Sequence, residues 1–481
     1  MIKYESEMLN HFDWHVYPPL YYFLCLRVMR FFNALILGAT LMSSVSIVSS
    51  QELSDAEIQS VLDKYNNPSS EKQVSYKGHQ VLTFNIRNQT ELDELTKVIE
   101  KYSLDEWTEP RIGSVDVRVQ PEFNAAVRSA IRSPMKVKIL DLDAAILRSK
   151  SQAEGRAAAA GEAVFKAATA VAPPNPSFFD NYHTYEELAQ FVKKLNSDHG
   201  NITEVVSAGK SHEGRDMVGL RIKGKDPKKV FIFHGAQHAR EWISPASSTA
   251  VTTYLMNAFA GLYGKDETIT QLVDNFDIYA IPVMNPDGYK YTWGADRMWR
   301  KNRQPNSNSR CIGTDNNRNW DTDFGGPGAS NNPCQETYHG PSAFSSPEAK
   351  NMAEFIKSKK AYVYIDFHAY SQLWMWSYGY SCNKVAPNDR KLRECGNRAV
   401  QALQAVHGKS FQAGPICSTI YQASGSSVDW ATDTGKVPFS YTVELRDKGE
   451  QGFLLPPGQI RPSGEEMLAA VIEMLKCVMA S

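Results

Sequence analysis

The segment His234-Gly-Ala-Gln-His238-Ala-Arg-Glu241-Trp242 sets an imidazole and a carboxylate three residues apart. A single helical turn would present both side chains on one side. Nitrogen together with carboxylate oxygen suits zinc, and a catalytic zinc takes three protein ligands and keeps one position open for water or substrate. The third ligand must come from a distant part of the chain. His368, which closes the run Tyr362-Val-Tyr-Ile-Asp-Phe-His368, is the candidate. By itself an H-x-x-E pair is a weak signal, since such residues are commonly ordinary surface or core positions. A histidine at a strand end is likewise often no more than a satisfied core residue.

Those residues need a scaffold that holds strand ends together. From about Ser177 onward, short apolar runs alternate with amphipathic helical stretches. The runs Lys229–Phe233, Phe276–Val283, Tyr362–Phe367 and Phe439–Val443 suit central strands. Pro245–Phe259, Pro347–Ser358, Asp389–Val406 and Gly464–Met479 read as helices. The pattern predicts an α/β catalytic domain over 173–481, a mixed central sheet with helices on both faces. Such sheets place their sites just beyond strand ends, where the candidates stand. Residues 51–148 form a separate pattern of strand (Val81–Ile86), helix (Thr90–Tyr102), strand (Val115–Val119), helix (Pro121–Ile131) and strand (Val137–Leu142). That is a small α+β open sandwich, and it contains no metal-ligand cluster. Between the two lies 149–172, an Ala-rich stretch with scattered Lys and Arg that ends at Pro173, Pro174 and Pro176. It reads as an exposed helical connector, a place where a protease would cut.

Length and composition narrow the class without naming it. A chain of 481 residues exceeds a single ordinary core, and 42% hydrophobic with 22% charged residues is typical of a folded soluble protein. A formal charge of -1 argues against a nucleic-acid partner. Residues 29–50 have the layout of a secretory signal: Arg30, the apolar run Phe31–Val48, then Ser49 and Ser50. A cleaved signal and a secreted product are expected, with a signal anchor as the alternative; no stable membrane anchor is expected in the mature chain. Met29 stands directly before this run, so 1–28 reads as a non-native extension. Setting Cys25 aside leaves six cysteines, an even set consistent with disulfides. Asn88-Gln-Thr and Asn201-Ile-Thr are glycosylation sequons, which matter in a secreted protein and also arise by chance.

The motif His238-Ala-Arg-Glu241-Trp242 with the distant His368 resembles the pancreatic-type, carboxypeptidase A-like zinc metallocarboxypeptidases. The resemblance extends through Asn285-Pro-Asp-Gly-Tyr289, Arg297-Met-Trp-Arg300-Lys, Asp315-Asn-Asn317-Arg318-Asn-Trp320, Glu336-Thr-Tyr-His-Gly340, Thr419-Ile-Tyr421-Gln-Ala-Ser-Gly425 and Val443-Glu444-Leu-Arg-Asp447, in the family's order over roughly 177–481. The pro-segment and connector resemble those of secreted fungal members. The resemblance implies one zinc ion per chain, bound by His238, Glu241 and His368, and hydrolysis of the C-terminal peptide bond of peptides and proteins by a monomer.

Further roles follow from the same resemblance. Glu444 matches the general base, which takes a proton from water and returns it to the leaving amine. Arg300 matches the arginine that steadies the oxyanion. Asn317 and Arg318 match the pair that grips the terminal carboxylate, a task suited to a planar guanidinium. Tyr421 matches the mobile tyrosine that closes over the bound terminus. Arg240 matches a substrate contact further from the cut, with a structural salt bridge the alternative, and Tyr370 is a further substrate-binding candidate. Val428 matches the floor of the pocket for the leaving side chain, and with Ile416 and Thr442 it adds no charge; apolar and aromatic C-termini are therefore expected. Cys311–Cys334 and Cys382–Cys417 match family disulfides. The first closes the loop carrying Asn317 and Arg318, with a stabilisation on the order of 3 kcal/mol. Cys395 and Cys477 have no family counterpart and either pair together or remain thiols. Residues 51–148 resemble a pro-domain that covers the cleft as an intramolecular inhibitor until an activating protease cuts the connector; a folding aid without inhibition is the alternative. A non-catalytic zinc-binding relative is the alternative to an enzyme, disfavoured by the presence of Glu444, Arg318 and Tyr421.

Overall fold

The computed structural model describes residues 53–66, 73–156, 173–243, 251–307 and 309–481. The extension 1–28, the signal 29–50, the connector beyond Arg156 and the first residues of the helix expected at Pro245–Phe259 lie outside the described residues. Alternating apolar side chains build two sheets. The smaller is antiparallel, in the order β2-β3-β1-β4, from β1 (Gln80–Ile86), β2 (Asp105–Glu106), β3 (Gly113–Val119) and β4 (Met135–Ile139). Helices Gln89–Tyr102 and Asn124–Ala130 cover it, and Leu82, Phe84, Leu95, Ile99, Val115, Val117 and Phe123 fill its core. The strand expected to reach Leu142 stops at Ile139. Asp141 accepts the Ala144 amide at 3.0 Å and so starts the helix Leu142–Arg156 instead. Helix Asp55–Asn66 and the two-residue β2 were not expected; neither has enough periodic apolar spacing to stand out in the sequence.

The larger sheet has eight strands in the order β11-β10-β12-β9-β7-β8-β6-β5. They are β5 (Thr203–Lys210), β6 (Asp216–Ile222), β7 (Lys229–His234), β8 (Phe276–Ile281), β9 (Val363–His368), β10 (Leu373–Trp376), β11 (Gln412–Pro415) and β12 (Phe439–Glu444). The four apolar runs become the parallel centre β12-β9-β7-β8, and antiparallel pairings on each side make the sheet mixed. Successive side chains in a strand face opposite ways. Phe231, Phe233, Val363, Ile365, Phe367, Tyr441 and Val443 therefore pack into one core, with helices Val251–Leu262 and Ile460–Met479 behind them. Ile232, Tyr364, Tyr279 and Ile281 pack on the other face, against helices Pro347–Lys359 and Ser427–Asp433.

Three disulfides fasten this frame. Cys311–Cys334 closes the loop that carries Asn317 and Arg318, and Cys382–Cys417 ties the segment after β10 to the short helix Ile416–Thr419 after β11. Cys395 and Cys477 pair across 82 residues, joining helix Asp389–His407 to helix Ile460–Met479, so neither is a free thiol. No described helix is long and apolar enough to cross a membrane. The N-terminal open sandwich and the larger sheet share buried contacts: Tyr76, Val81, Trp107, Leu142 and Ile146 belong to the same apolar cluster as Tyr182, Phe453 and Leu454.

Candidate metal centre and cleft

Three parallel strands end side by side, and each delivers a polar group at its carboxyl end. β7 ends at His234 and leads to His238 and Glu241; β9 ends at His368; β12 ends at Glu444, which lies opposite His368 in register. His238 and Glu241 do not share a helical turn. They lie in a turn after β7, held by the Trp242 amide on Arg240 O at 2.8 Å and the Ala239 amide on Arg300 O at 2.9 Å. This turn still brings the two side chains together, because an i to i+3 reversal shortens the gap as a helix would.

His238, Glu241 and His368 are buried, and their ligand-bearing atoms lie within 4.8 Å of one another. The two Nδ1 atoms are 3.2 Å apart; Glu241 Oε1 is 2.6 Å from His238 Nδ1, and its Oε2 is 3.1 Å from His368 Nδ1. Ligands about 2 Å from one zinc at tetrahedral angles would be roughly 3.3 Å apart, so the cage fits. The donor chemistry fits as well. Each outer nitrogen faces a carboxylate: His238 Nε2 on Asp315 Oδ1 at 3.0 Å, His368 Nε2 on Asp366 Oδ2 at 2.9 Å. A carboxylate only accepts, so both outer nitrogens carry the hydrogen and both Nδ1 lone pairs point inward with Glu241. Buried acceptors converging in this way call for a cation. Burial would push the Glu241 carboxyl up, yet the two imidazoles hold it well below the usual range.

Around this cage the remaining candidates except Arg240, which is fully buried, line one cleft. Arg300, Asn317, Arg318, Tyr370, Tyr421, Val428 and Glu444 all border it with the three metal-site residues. Arg300 is held by Asp315 Oδ2 at 2.9 Å and lies 3.8 Å from Glu241. Glu444 is half-buried, with Oε2 enclosed and lacking a hydrogen-bond partner. Burial pushes its carboxyl up to about 8; Glu241 adds to the shift, and His368 opposes it. Val428 is buried and lines the cleft with Ile416, Thr442 and Met375. The adjacent carboxylate, Asp429, turns away and accepts the Gly379 and Tyr380 amides at 2.9 and 3.0 Å. Asn88 and Asn201 are exposed, and Asn88 caps helix Gln89–Tyr102 through its side-chain oxygen.

The sequence profile of the zinc carboxypeptidases matches residues 188–470. The chain belongs to the zinc carboxypeptidase family. It is 41% identical to a metallocarboxypeptidase A of Trichophyton rubrum over 415 residues, covering 84% of this chain and 94% of that one. It is 47% identical to mouse carboxypeptidase A2 over 290 residues, 60% of this chain and 68% of that one. Among solved structures, thrombin activatable fibrinolysis inhibitor superposes with a TM-score of 0.73 at 30% identity, covering 84% of this chain and 100% of that one. The carboxypeptidase A of Helicoverpa armigera gives 0.74 at 26%, covering 84% and 98%. An 84% match is longer than the catalytic region alone, so the likeness takes in part of the N-terminal open sandwich. The protein is a metallocarboxypeptidase.

In this carboxypeptidase the cleft is roofed by residues 105–118 of the open sandwich. Asp105 pairs with Arg240, whose other terminal nitrogen donates to Glu106 O at 2.9 Å. Glu109 pairs with Arg318, Asp116 accepts from Tyr370 at 3.2 Å, and Trp107 packs on Phe453 at 5.1 Å. Arg240 thus has an ion pair, but its partner lies on the roof rather than within the catalytic region. Sequence reasoning missed Asp105, Glu109, Asp315, Asp366 and Ser427. Asp366 alone carried a usable signal, since positions 366 and 368 of a strand must share a face. The acids of the roof are ordinary loop carboxylates until the fold sets them against arginines.

Proposed function

We propose that this carboxypeptidase is made as a secreted precursor and that its mature form, 173–481, removes apolar and aromatic residues from peptide C-termini. One observation supports the proposal: a single cleft is lined by the His238–Glu241–His368 cage, by Arg318 and by the uncharged side chains of Val428, Ile416, Thr442 and Met375. A zinc ion held by the cage would acidify water and polarise the scissile carbonyl. Arg318 and Asn317 grip the terminal carboxylate, and Tyr421 shuts over it. The leaving side chain enters the pocket of Val428, Ile416 and Thr442, where a cationic chain would find no counter-ion. Glu444, buried and returned to its carboxylate form by a cation in the adjacent cage, takes the proton from the attacking water and delivers it to the amine as the C–N bond breaks. Arg300, charged by its buried pairing with Asp315, donates to the carbonyl oxygen as negative charge develops.

Residues 51–148 act as the inhibitor. Their roof occupies Arg240 and Arg318, the groups assigned to substrate, so the precursor is latent until a protease cuts the connector. The signal at 29–50 and the three disulfides support export to an oxidising compartment, where Asn88 and Asn201 can receive glycans. The test is Glu444→Gln in the matured protein. Bound zinc measured by mass or elemental analysis should stay stoichiometric, while kcat for a C-terminal Phe peptide should fall by several orders of magnitude. Retained turnover would remove Glu444 from its role.

A further inference from the structure

We propose that Asp366 is a positioning residue that locks the metal ligand His368 to the floor of the substrate pocket. The placement follows from strand geometry. Asp366 and His368 share a face of β9, and the parallel register sets His234 of β7 and Thr442 of β12 opposite Asp366. A carboxylate there, fully buried between strands, must be met by donors or it would be unaffordable in free energy.

It is met by three at one oxygen. Asp366 Oδ2 faces His368 Nε2 at 2.9 Å and accepts from Gln237 Nε2 and Ser427 Oγ, each at 2.6 Å. Each donor reaches a different part of the site. Gln237 directly precedes His238 and is itself fixed by Trp320 Nε1 at 2.9 Å. Ser427 directly precedes Val428, and its amide donates to Asn317 Oδ1 at 3.0 Å. The second oxygen of Asp366 faces His234 Nδ1 at 3.5 Å, and the hydroxyl of Tyr364 backs His234 Nε2 at 2.6 Å. One buried carboxylate therefore sets the tautomer of His368, orients the segment that carries the other imidazole, and anchors the residue beside the specificity pocket. Asp315 serves His238 similarly, but its other oxygen is bound by Arg300 and does not reach the pocket floor.

The inference rests on His368 being a metal ligand, and that premise fails separately if the wild-type protein binds no zinc. The experiment is Asp366→Asn in the matured enzyme, with zinc affinity read by competition with a chromophoric chelator. An amide keeps the shape but no longer demands a hydrogen on Nε2, so the zinc dissociation constant should rise 10- to 100-fold. The visible spectrum of the cobalt-substituted enzyme should shift with it. A merely structural residue would lower the melting temperature of the metal-free protein and leave zinc affinity in place. Ser427→Ala, which keeps the carboxylate and removes one donor, should weaken zinc several-fold and raise KM for a C-terminal Phe peptide. If Asp366→Asn does not fold, Ser427→Ala decides. Zinc affinity within twofold of wild type in a folded variant overturns the proposal.

Discussion

Substituting Glu109 with glutamine perturbs the roof of the cleft while leaving every residue of the catalytic region unchanged. Glu109 pairs with Arg318, whose side chain is only 2% exposed, against 15% for Glu109. The other donors of Arg318 go to backbone oxygens, Nε to Gly328 at 2.6 Å and one terminal nitrogen to Asn317 at 3.1 Å; Asp315 stands off at 4.0 Å. Glu109 is therefore the close counter-ion of a buried guanidinium. Glutamine keeps the length and one acceptor oxygen but removes the charge. A hydrogen bond to a charged group contributes about 1.5–3 kcal/mol, and leaving a buried charge without its partner costs toward the upper end. A loss of about 2–3 kcal/mol in roof closure is roughly a 30- to 150-fold change in the open fraction. The assay is hydrolysis of a C-terminal Phe peptide by the uncut precursor, then by the same sample after the connector is cleaved. Uncut Glu109→Gln should be some 30- to 150-fold more active than uncut wild type. After cleavage and removal of 51–148 the two must be identical, because residue 109 is gone. An uncut variant no more active than the wild-type precursor, within twofold, would refute the assignment of Glu109 as the occupant of the carboxylate site.

Val428→Asp should invert specificity: a carboxylate at the buried floor costs about 3 kcal/mol against an apolar side chain, so kcat/KM for C-terminal Phe should drop roughly 100-fold while Lys becomes the better substrate. Paired kcat/KM values for Phe and Lys peptides check this, and a surviving preference for Phe would move the pocket floor elsewhere. Asp105 supplies a pH signature for the closed precursor. Burial alone would raise its carboxyl, but Arg240 and Arg118 outweigh burial and hold it at about 2, below its ordinary 3.8. A lowered acid contributes stability above its unfolded value and loses it as pH falls through the folded one, so the contribution, on the order of 2 kcal/mol, should be intact at pH 5 and fading by pH 3. The gap in melting temperature between the precursor and its Asp105→Asn variant should accordingly stay constant from pH 7 to 5 and narrow below 4; a gap that closes between pH 7 and 5 contradicts the Asp105–Arg240 lock.

The central sheet was legible because its four parallel strands are buried on both faces and so read as unbroken apolar runs, Phe439–Val443 among them. The small strand β2 and the helix Asp55–Asn66 were not, since two residues carry no period and a polar helix carries little. Boundaries moved where a single side chain decided them, as Asp141 does at the start of Leu142–Arg156. Spacing suggested His238 with Glu241 but assigned them to the wrong local form, because a turn and a helix both bring positions three apart together. His368 could be suggested only from afar, because its approach depends on β9 lying beside β7, which no local pattern encodes.

The acids of the roof show the limit most sharply. Asp105 and Glu109 sit in Asp105-Glu-Trp-Thr-Glu109, a stretch with no motif and no periodicity. Their meaning comes entirely from what they face: Arg240 and Arg318, the cations to which the proposed function gives the substrate. A carboxylate on a side chain and one at a chain terminus offer the same two oxygens to a guanidinium. On the proposed function, the geometry by which Arg318 would hold a substrate's end also lets Glu109 take its place, and latency would need no dedicated device elsewhere in the chain. It follows that substitutions at Arg318 should weaken both functions together, whereas substitutions at Glu109 should relax latency alone. That asymmetry separates a roof that mimics substrate from one that merely blocks the way: a purely steric lid would be loosened by trimming Trp107 against Phe453 and would be indifferent to the charge at position 109.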